Sequence, residues 1–424
     1  MSTFWFLPVF IICCSVILSV SLVTLDSYIT VSQEGWQRFF MVNSTSSARS
    51  ILSTISGAMI GVAGTVFSVT LVVLTLASSQ FGPRLIKNFM YIKINQVVLG
   101  SYVSTYLYCL LILNSVKESA DYTFIPSISI FVAILAAIAN IILLIVFIHQ
   151  IAISIQADKV ISDISGSISK QVKEIFPEYM GDETEDEQEI NIAAETSNYT
   201  KRISLTSPKN GYIQYIDTEV LMNIVVEEDL ILELYHRPGS FMVEGLELGV
   251  VYSKVDWKEN ALKDLLDQFV IGNTKTAQQD LEFSIHQMVE IAARALSPGV
   301  NDPYTAVTCI DNLSATMCYL AKAKFPSKYR FDDDGNLRIV ADALEFEGVL
   351  DAAFNQIRQF SGGSAAVIIR LMEALSTILS FSKKEKQRKA VIKHAEMVLT
   401  VGKETIREKN DIDDLTERAE RILK

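Results

Sequence analysis

Histidine, cysteine and clustered basic residues are scarce in this chain, and each shortage excludes a class of chemistry. The four histidines (His149, His236, His286 and His394) fall in separate segments, and the five cysteines form no Cys-x-x-Cys pair. Zinc needs several such ligands at short, regular spacings, so no metal site is expected. Cys13, Cys14 and Cys109 lie inside apolar runs and Cys309 and Cys318 in a predicted helix, which suits reduced, buried thiols rather than a disulfide framework. Acidic residues outnumber basic ones, 49 to 37, for a formal net charge of −12. Phosphate contacts need a basic surface interleaved with aromatic side chains, so nucleic acid is not expected as a partner. No glycine-rich phosphate loop and no nucleophile paired with a base can be assembled, so neither an enzyme nor a bound cofactor is expected.

Charge is also nearly missing before residue 155, where the long apolar runs concentrate. A hydrocarbon core about 30 Å thick needs about 20 residues of helix. Four stretches are long enough: about 4–25, 51–77, 97–115 and 125–153. The first carries no Lys or Arg at its start and no small-residue cleavage pattern, so it is read as a retained helix rather than a signal peptide. Between the second and third stretches stand Arg84, Lys87 and Lys93 with no acidic residue, whereas Lys117 in the third loop is offset by Glu118 and Asp121. The basic loop belongs inside, which places both termini of a multi-pass protein in the cytoplasm. Trp36, Phe39 and Phe40 in the first outer loop suit the aromatic belt at the interface.

No acidic or basic residue falls in the middle of any span, which weakens a proton-coupled transporter. Asn140 is a polar exception, best read as an interhelical hydrogen-bonding residue. The second span is the most informative: Ser53, Gly57, Gly61, Gly64 and Ser68 recur at spacings of four, four, three and four, a narrow small-residue face with Thr65 and Thr70 beside it. Such a face serves close helix packing, or it lines a pore in a homo-oligomer. The run Ser78-Ser79-Gln80-Phe81-Gly82-Pro83-Arg84 reads as a helix stop.

Beyond the spans, 156–206 reads as an amphipathic stalk and a linker, whose acidic run Asp182, Glu183, Glu185, Asp186, Glu187 and Glu189 suits a solvated tether. Residues 207–255 read as a small β module, with strands at 211–216, 230–235 and 241–243 and a tight connection at Arg237-Pro238-Gly239. Over some forty residues it resembles the barrel-sandwich hybrid modules of lipoyl and membrane-fusion proteins, without the lysine that lipoylation requires. From 256 to 424 the period becomes helical: one helix over about 276–296 stops at Ser297-Pro298-Gly299, and Asp302 with Pro303 starts the next, running to about 324. A hairpin is expected around Asp333-Asp334-Gly335-Asn336, without the ligand spacing of a calcium loop. The fold class expected is therefore a multi-pass α-helical membrane domain of four helices, followed by a cytoplasmic α+β region comprising a small β-barrel-like module and a mainly helical domain.

The stretch Leu296-Ser297-Pro298-Gly299-Val300-Asn301-Asp302-Pro303-Tyr304-Thr305-Ala306 resembles the signature of a family of bacterial predicted integral membrane proteins catalogued as a domain of unknown function. Matching as well are 65–84 (Thr-Val-Phe-Ser through Gln-Phe-Gly-Pro-Arg), 95–100, Arg237-Pro238-Gly239 and Gln279-Asp280. The likeness extends over almost the whole chain and implies four spans with a soluble C-terminal region, but no activity.

Asp280, His286, Glu290, Arg294, Asn301 and Asp302 form the candidate site in the soluble half, since the first four fall roughly along one helix flank. A salt-bridged helix beside a capped turn accounts for them structurally. Functionally, the turn Ser297–Pro303 offers a helix N-terminus to an anion, which Asp302 would repel. The reading that emerges is an oligomeric channel or transport-related protein whose cytoplasmic domain gates or assembles it, handling an ion or small ligand in the lipid bilayer. The alternative is a membrane-anchored sensor or scaffold whose cytoplasmic domain binds a protein or small ligand.

Overall fold

A computed structural model describes residues 5–29, 42, 44–82, 93–119, 122–175, 190–255 and 259–424. The aromatic loop with Trp36, Phe39 and Phe40, the charges Arg84, Lys87 and Asp121, and the acidic run at 182–189 lie outside the described residues. The chain divides into two units, Met1–Val160 and Ile161–Lys424.

The first unit holds four helices long and apolar enough to cross a membrane: α1 (Phe6–Tyr28), α2 (Thr45–Phe81), α3 (Lys93–Ser115) and α4 (Ser127–Ser154). Helix α2 begins earlier than hydropathy suggested because Ser44 caps it, accepting a bond from the Ser47 N–H at 3.1 Å. It ends at Phe81, where Gly82 takes φ +107°. A short hairpin, β1 (Lys117–Ser119) with β2 (Tyr122–Phe124), joins α3 to α4.

Three devices lock this bundle. Asn140, fully buried on α4, accepts from the Ser101 hydroxyl at 2.7 Å and donates to Thr105 Oγ1 at 2.8 Å, while Tyr102 donates to its carbonyl at 2.6 Å. The interhelical reading of Asn140 therefore holds, and no valence of its amide is left exposed to hydrocarbon. At Gly100 an added Cβ would come within 2.9 Å of Pro8 Cα, so α1 crosses α3 at a distance only glycine permits. Asp26, at the last turn of α1, accepts from the N–H groups of Ile128 and Ser129, each at 2.9 Å, and from the Ser129 hydroxyl at 2.6 Å. It thus caps α4, whose own N-cap, Pro126, makes no side-chain cap bond. Asp26→Ala is expected to cost about 1–2 kcal/mol, read as a lower thermal midpoint of the detergent-solubilised chain; an unchanged midpoint refutes the cap.

In the second unit α5 (Ala157–Ile175) buries Ile161, Ile164, Ile168 and Val172, one side of a helix. The segment read as a stalk is therefore packed against the second unit from Ile161 onward. After a short turn of helix, α6 (Ile192–Glu195), come β3 (Lys201–Thr206), β4 (Gly211–Ile216), α7 (Thr218–Glu227), β5 (Ile231–Leu234), β6 (Phe241–Met242), β7 (Glu247–Ser253), α8 (Glu259–Leu266) and β8 (Phe269–Gly272). The mainly helical part follows: α9 (Leu281–Ala295), α10 (Pro303–Leu320), the hairpin β9 (Tyr329–Phe331) and β10 (Leu337–Ala341), then α11 (Phe346–Phe360), α12 (Ala365–Phe381), α13 (Glu385–Thr405) and α14 (Lys409–Leu423).

The strands form two open sheets, ordered β3-β7-β5-β10-β9 and β6-β4-β8, with β10 parallel to β5 and the other pairings antiparallel. They share one core in which Ile213 and Ile271 from one sheet meet Leu232, Val251 and Ile339 from the other, with Leu221 and Val225 of α7. No closed barrel forms among the described residues. Strands β3, β8, β9 and β10 come from outside 207–255, because pairing partners are chosen by the buried face and not by proximity along the chain. The Asp332 turn is closed from within the hairpin. Asp332 accepts from the Asn336 N–H at 2.8 Å and from Arg338 Nε at 2.7 Å, and Arg338 holds its carboxyl down at about 2.

Candidate functional site

Helix α9 starts at Asp280, later than the periodicity implied, because Asp280 is its N-cap and accepts from the Phe283 N–H at 2.9 Å. The structure separates the residues expected to act together. Asp280 stands at one end of α9; Arg294, Asn301 and Asp302 gather at the other, about 20 Å away for fourteen residues of helix. His286 lies between them, and Arg294 Nη2 approaches Glu290 Oε1 at 3.8 Å across one turn.

At the far end the signature turn is tightly bonded. The Ser297 hydroxyl donates to the Arg294 carbonyl at 2.6 Å, the Asn301 N–H to the Ser297 carbonyl at 2.9 Å, and the Asp302 N–H to the Ala295 carbonyl at 2.7 Å. Asn301 adopts φ +51°, a left-handed conformation that asparagine tolerates better than most side chains. Asp302 accepts from the Thr305 N–H at 3.1 Å and its hydroxyl at 2.6 Å, so the first turn of α10 already carries a carboxylate where an anion would have to sit. Burial and the nearby Asp302 push the Cys309 thiol up to about 12, which keeps it protonated and inert at neutral pH. Val300 and Tyr304 point outward at the tip, Tyr304 80% exposed.

The near end joins two motifs that lie apart in the chain. Gly239 of Arg237-Pro238-Gly239 sits at φ +93° directly against the Asp280 carboxylate: an added Cβ would collide with Oδ2 and reach Cγ at 2.6 Å. Arg237 Nη2 meets Glu282 at 2.8 Å, and Lys275 Nζ stands 3.8 Å from Asp280 Oδ2. Gln279 brackets Ile216 of β4, accepting from its N–H at 2.9 Å and donating to its carbonyl at 3.0 Å. Asp280 is 5% exposed and its Oδ2 accepts no hydrogen bond. Burial raises its pKa, opposed by the Phe283 N–H and by Lys275. A raised folded-state pKa means that this group favours folding at low pH, and that the advantage fades as pH rises through the folded value. Asp280→Asn, which keeps a capping oxygen, is therefore expected to hold or raise stability at neutral pH, whereas Asp280→Ala loses about 1 kcal/mol of cap. Thermal unfolding across pH separates the two, and equal losses in both variants contradict the burial argument.

Chain distance hid this junction from residue-level reasoning. Its trace in the sequence is two short motifs, Arg-Pro-Gly and Gln-Asp, about forty residues apart. No group of three His, Cys, Asp or Glu side chains among the described residues could hold a metal ion.

In the first unit the structure settles which side of α2 its neighbours take. Leu52, Ser56, Met59, Ala63 and Val66 are buried, whereas Ser53, Gly57, Gly61, Gly64, Thr65 and Ser68 are exposed. At 100° per residue the two sets lie on opposite sides of the helix. A Cβ built on Gly57, Gly61 or Gly64 meets nothing within 4 Å. Among the described residues nothing packs on these three glycines. The hydroxyls of Thr65 and Ser68 donate to the carbonyls of Gly61 and Gly64 at 3.2 and 2.9 Å, which leaves their oxygens able to accept.

A family model described as "Predicted membrane protein (DUF2254)" matches residues 1–377 of this chain. The uncharacterized protein Rv1290c of Mycobacterium tuberculosis and the uncharacterized protein Mb1321c of Mycobacterium bovis are each 30% identical to it over 373 residues, covering 86% of this chain and 70% of theirs. No solved structure matches.

Proposed function

This chain belongs to the DUF2254 family of predicted membrane proteins, and from that premise we propose that it is an oligomeric channel or transport-related protein, with α2 at the subunit contact and the second unit as its gating or assembly module. The observation that carries the reading is the open small-residue face of α2. A side of helix that meets only lipid gains dispersion contacts from large apolar side chains; glycine and serine forgo them. In a bilayer such residues gain by letting backbones approach, and with no neighbour on those glycines among the described residues, a second copy is the partner this reading takes. Where copies surround an axis, exposed hydroxyl oxygens such as those of Thr65 and Ser68 suit a hydrated path. The basic loop with Arg84, Lys87 and Lys93 supports a bacterial inner-membrane protein with both termini cytoplasmic. No catalytic role is part of this reading.

The alternative, a membrane-anchored sensor or scaffold, is favoured by one feature: the hydrogen-bonded signature turn presents Val300 and Tyr304 to solvent. The deciding experiment is single-particle imaging of the detergent-purified full chain, with ion flux from reconstituted liposomes. A symmetric ring with α2 around the axis and measurable flux supports the channel. A monomer with no flux removes it and turns attention to Tyr304.

A further inference from the structure

Between α2 and α3 lies a cavity of about 110 Å³, lined chiefly by Val66, Phe67, Thr70 and Leu74 of α2 and by Asn95 and Leu99 of α3. Its lining is apolar save for two side chains. The Thr70 hydroxyl already donates to the Val66 carbonyl at 2.8 Å. Asn95 Oδ1 is buried and accepts no hydrogen bond, an arrangement that is unfavourable in a low-dielectric setting unless something fills it.

We propose that this cavity takes an acyl chain of a membrane phospholipid whose head group donates a hydrogen bond to Asn95 Oδ1. Several waters, at about 30 Å³ each, would fit by volume. A buried water needs two to four polar partners, however, and this lining offers too few to hold a cluster. An acyl chain gives up nothing there and gains the dispersion contacts that the void forfeits. Depth favours a lipid as well. Lys93, exposed at the start of α3, is the kind of side chain that reaches the membrane interface, and Asn95 follows two residues later, about 3 Å along the helix. The amide oxygen therefore lies at head-group level while the cavity runs along α2. An acceptor at that depth selects for chemistry: the ammonium of phosphatidylethanolamine carries N–H donors, and the trimethylated head group of phosphatidylcholine carries none. The inference does not depend on the channel reading, since the cavity lies within one chain.

The test reconstitutes the full chain in vesicles of equimolar phosphatidylethanolamine and phosphatidylcholine, extracts it in mild detergent and measures the lipid retained per chain by native mass spectrometry. One charge-assisted hydrogen bond predicts about a ten- to hundred-fold preference for phosphatidylethanolamine. Asn95→Leu is expected to abolish the preference while a lipid chain still binds, and Leu74→Trp to displace both lipids by filling the space. Should Leu74→Trp fail to fold, Leu99→Phe fills the same cavity from the facing helix. Equal retention of the two lipids by the unaltered protein overturns the proposal, as does retention that ignores the filling variant. A chain that keeps no lipid, its cavity covered by a second copy, overturns it too.

Discussion

Gly239→Ala is expected to destabilise the second unit by about 2–5 kcal/mol, combining strain at a positive φ with overpacking, and to lower its thermal midpoint by roughly 5–20 °C. Two independent effects coincide at this residue. The backbone sits at φ +93°, where a side chain is strained whatever the space, and the space is filled by the Asp280 carboxylate. Nor can the turn easily move away. The Gly239 N–H donates to the Ile213 carbonyl at 2.8 Å and the Ile213 N–H to the Ser240 carbonyl at 3.0 Å, which ties the connection to β4 on both sides. Shifting it would break strand pairing in the three-stranded sheet. The contact itself is tested by a double-variant cycle. In an Asp280→Ala background the carboxylate is gone, so Gly239→Ala should cost less than in the unaltered protein, the backbone part remaining. Strict additivity of the two substitutions contradicts the close approach of the two motifs.

Gly57→Leu and Gly61→Leu should have the opposite character, leaving the subunit intact and weakening its association by about tenfold or more. Each new side chain enters space that the described residues leave empty, so the bundle of α1 to α4 has no reason to unfold. The control lies on the buried side of the same helix: Ala63 is 4% exposed, and Ala63→Leu overpacks the contact with α3 and α4 at a cost of about 1–3 kcal/mol. The measurements are the mass of the detergent complex, its thermal midpoint and liposome flux. Smaller complexes with altered flux and an unchanged midpoint mark the glycine face as a subunit contact. Complexes of the same mass and flux as the unaltered protein would remove that face from any role in assembly.

Asp302 followed by Pro303 announced a helix start, and α10 begins there, because capping is a local affair of side chain and backbone within one turn. Ser78 through Gly82 announced a stop for the same reason. By contrast, nothing in the order of residues connects Arg237-Pro238-Gly239 with Gln279-Asp280, and nothing near Asp26 says that it caps a helix a hundred residues later. The candidate site fared likewise. Asp280, His286, Glu290 and Arg294 share one helix, but a flank is a line and not a pocket, and its two ends serve different neighbours.

For the chain as a whole, sequence alone determined what depends on solvent and on neighbours within a turn or two. Four apolar stretches matched to bilayer thickness, a polar remainder, the helix caps, the hairpin at Gly335 and the small-residue stripe of α2 all follow from transfer free energy and local backbone bonding. Tertiary structure alone decided which side of α2 is used within the chain, which strands pair across the segment boundaries, and which carboxylate is buried against Gly239. Those outcomes rest on contacts between segments far apart in the chain. A periodic pattern says that a face exists, but only the partner packed against it, or the lack of one within the chain, assigns its use.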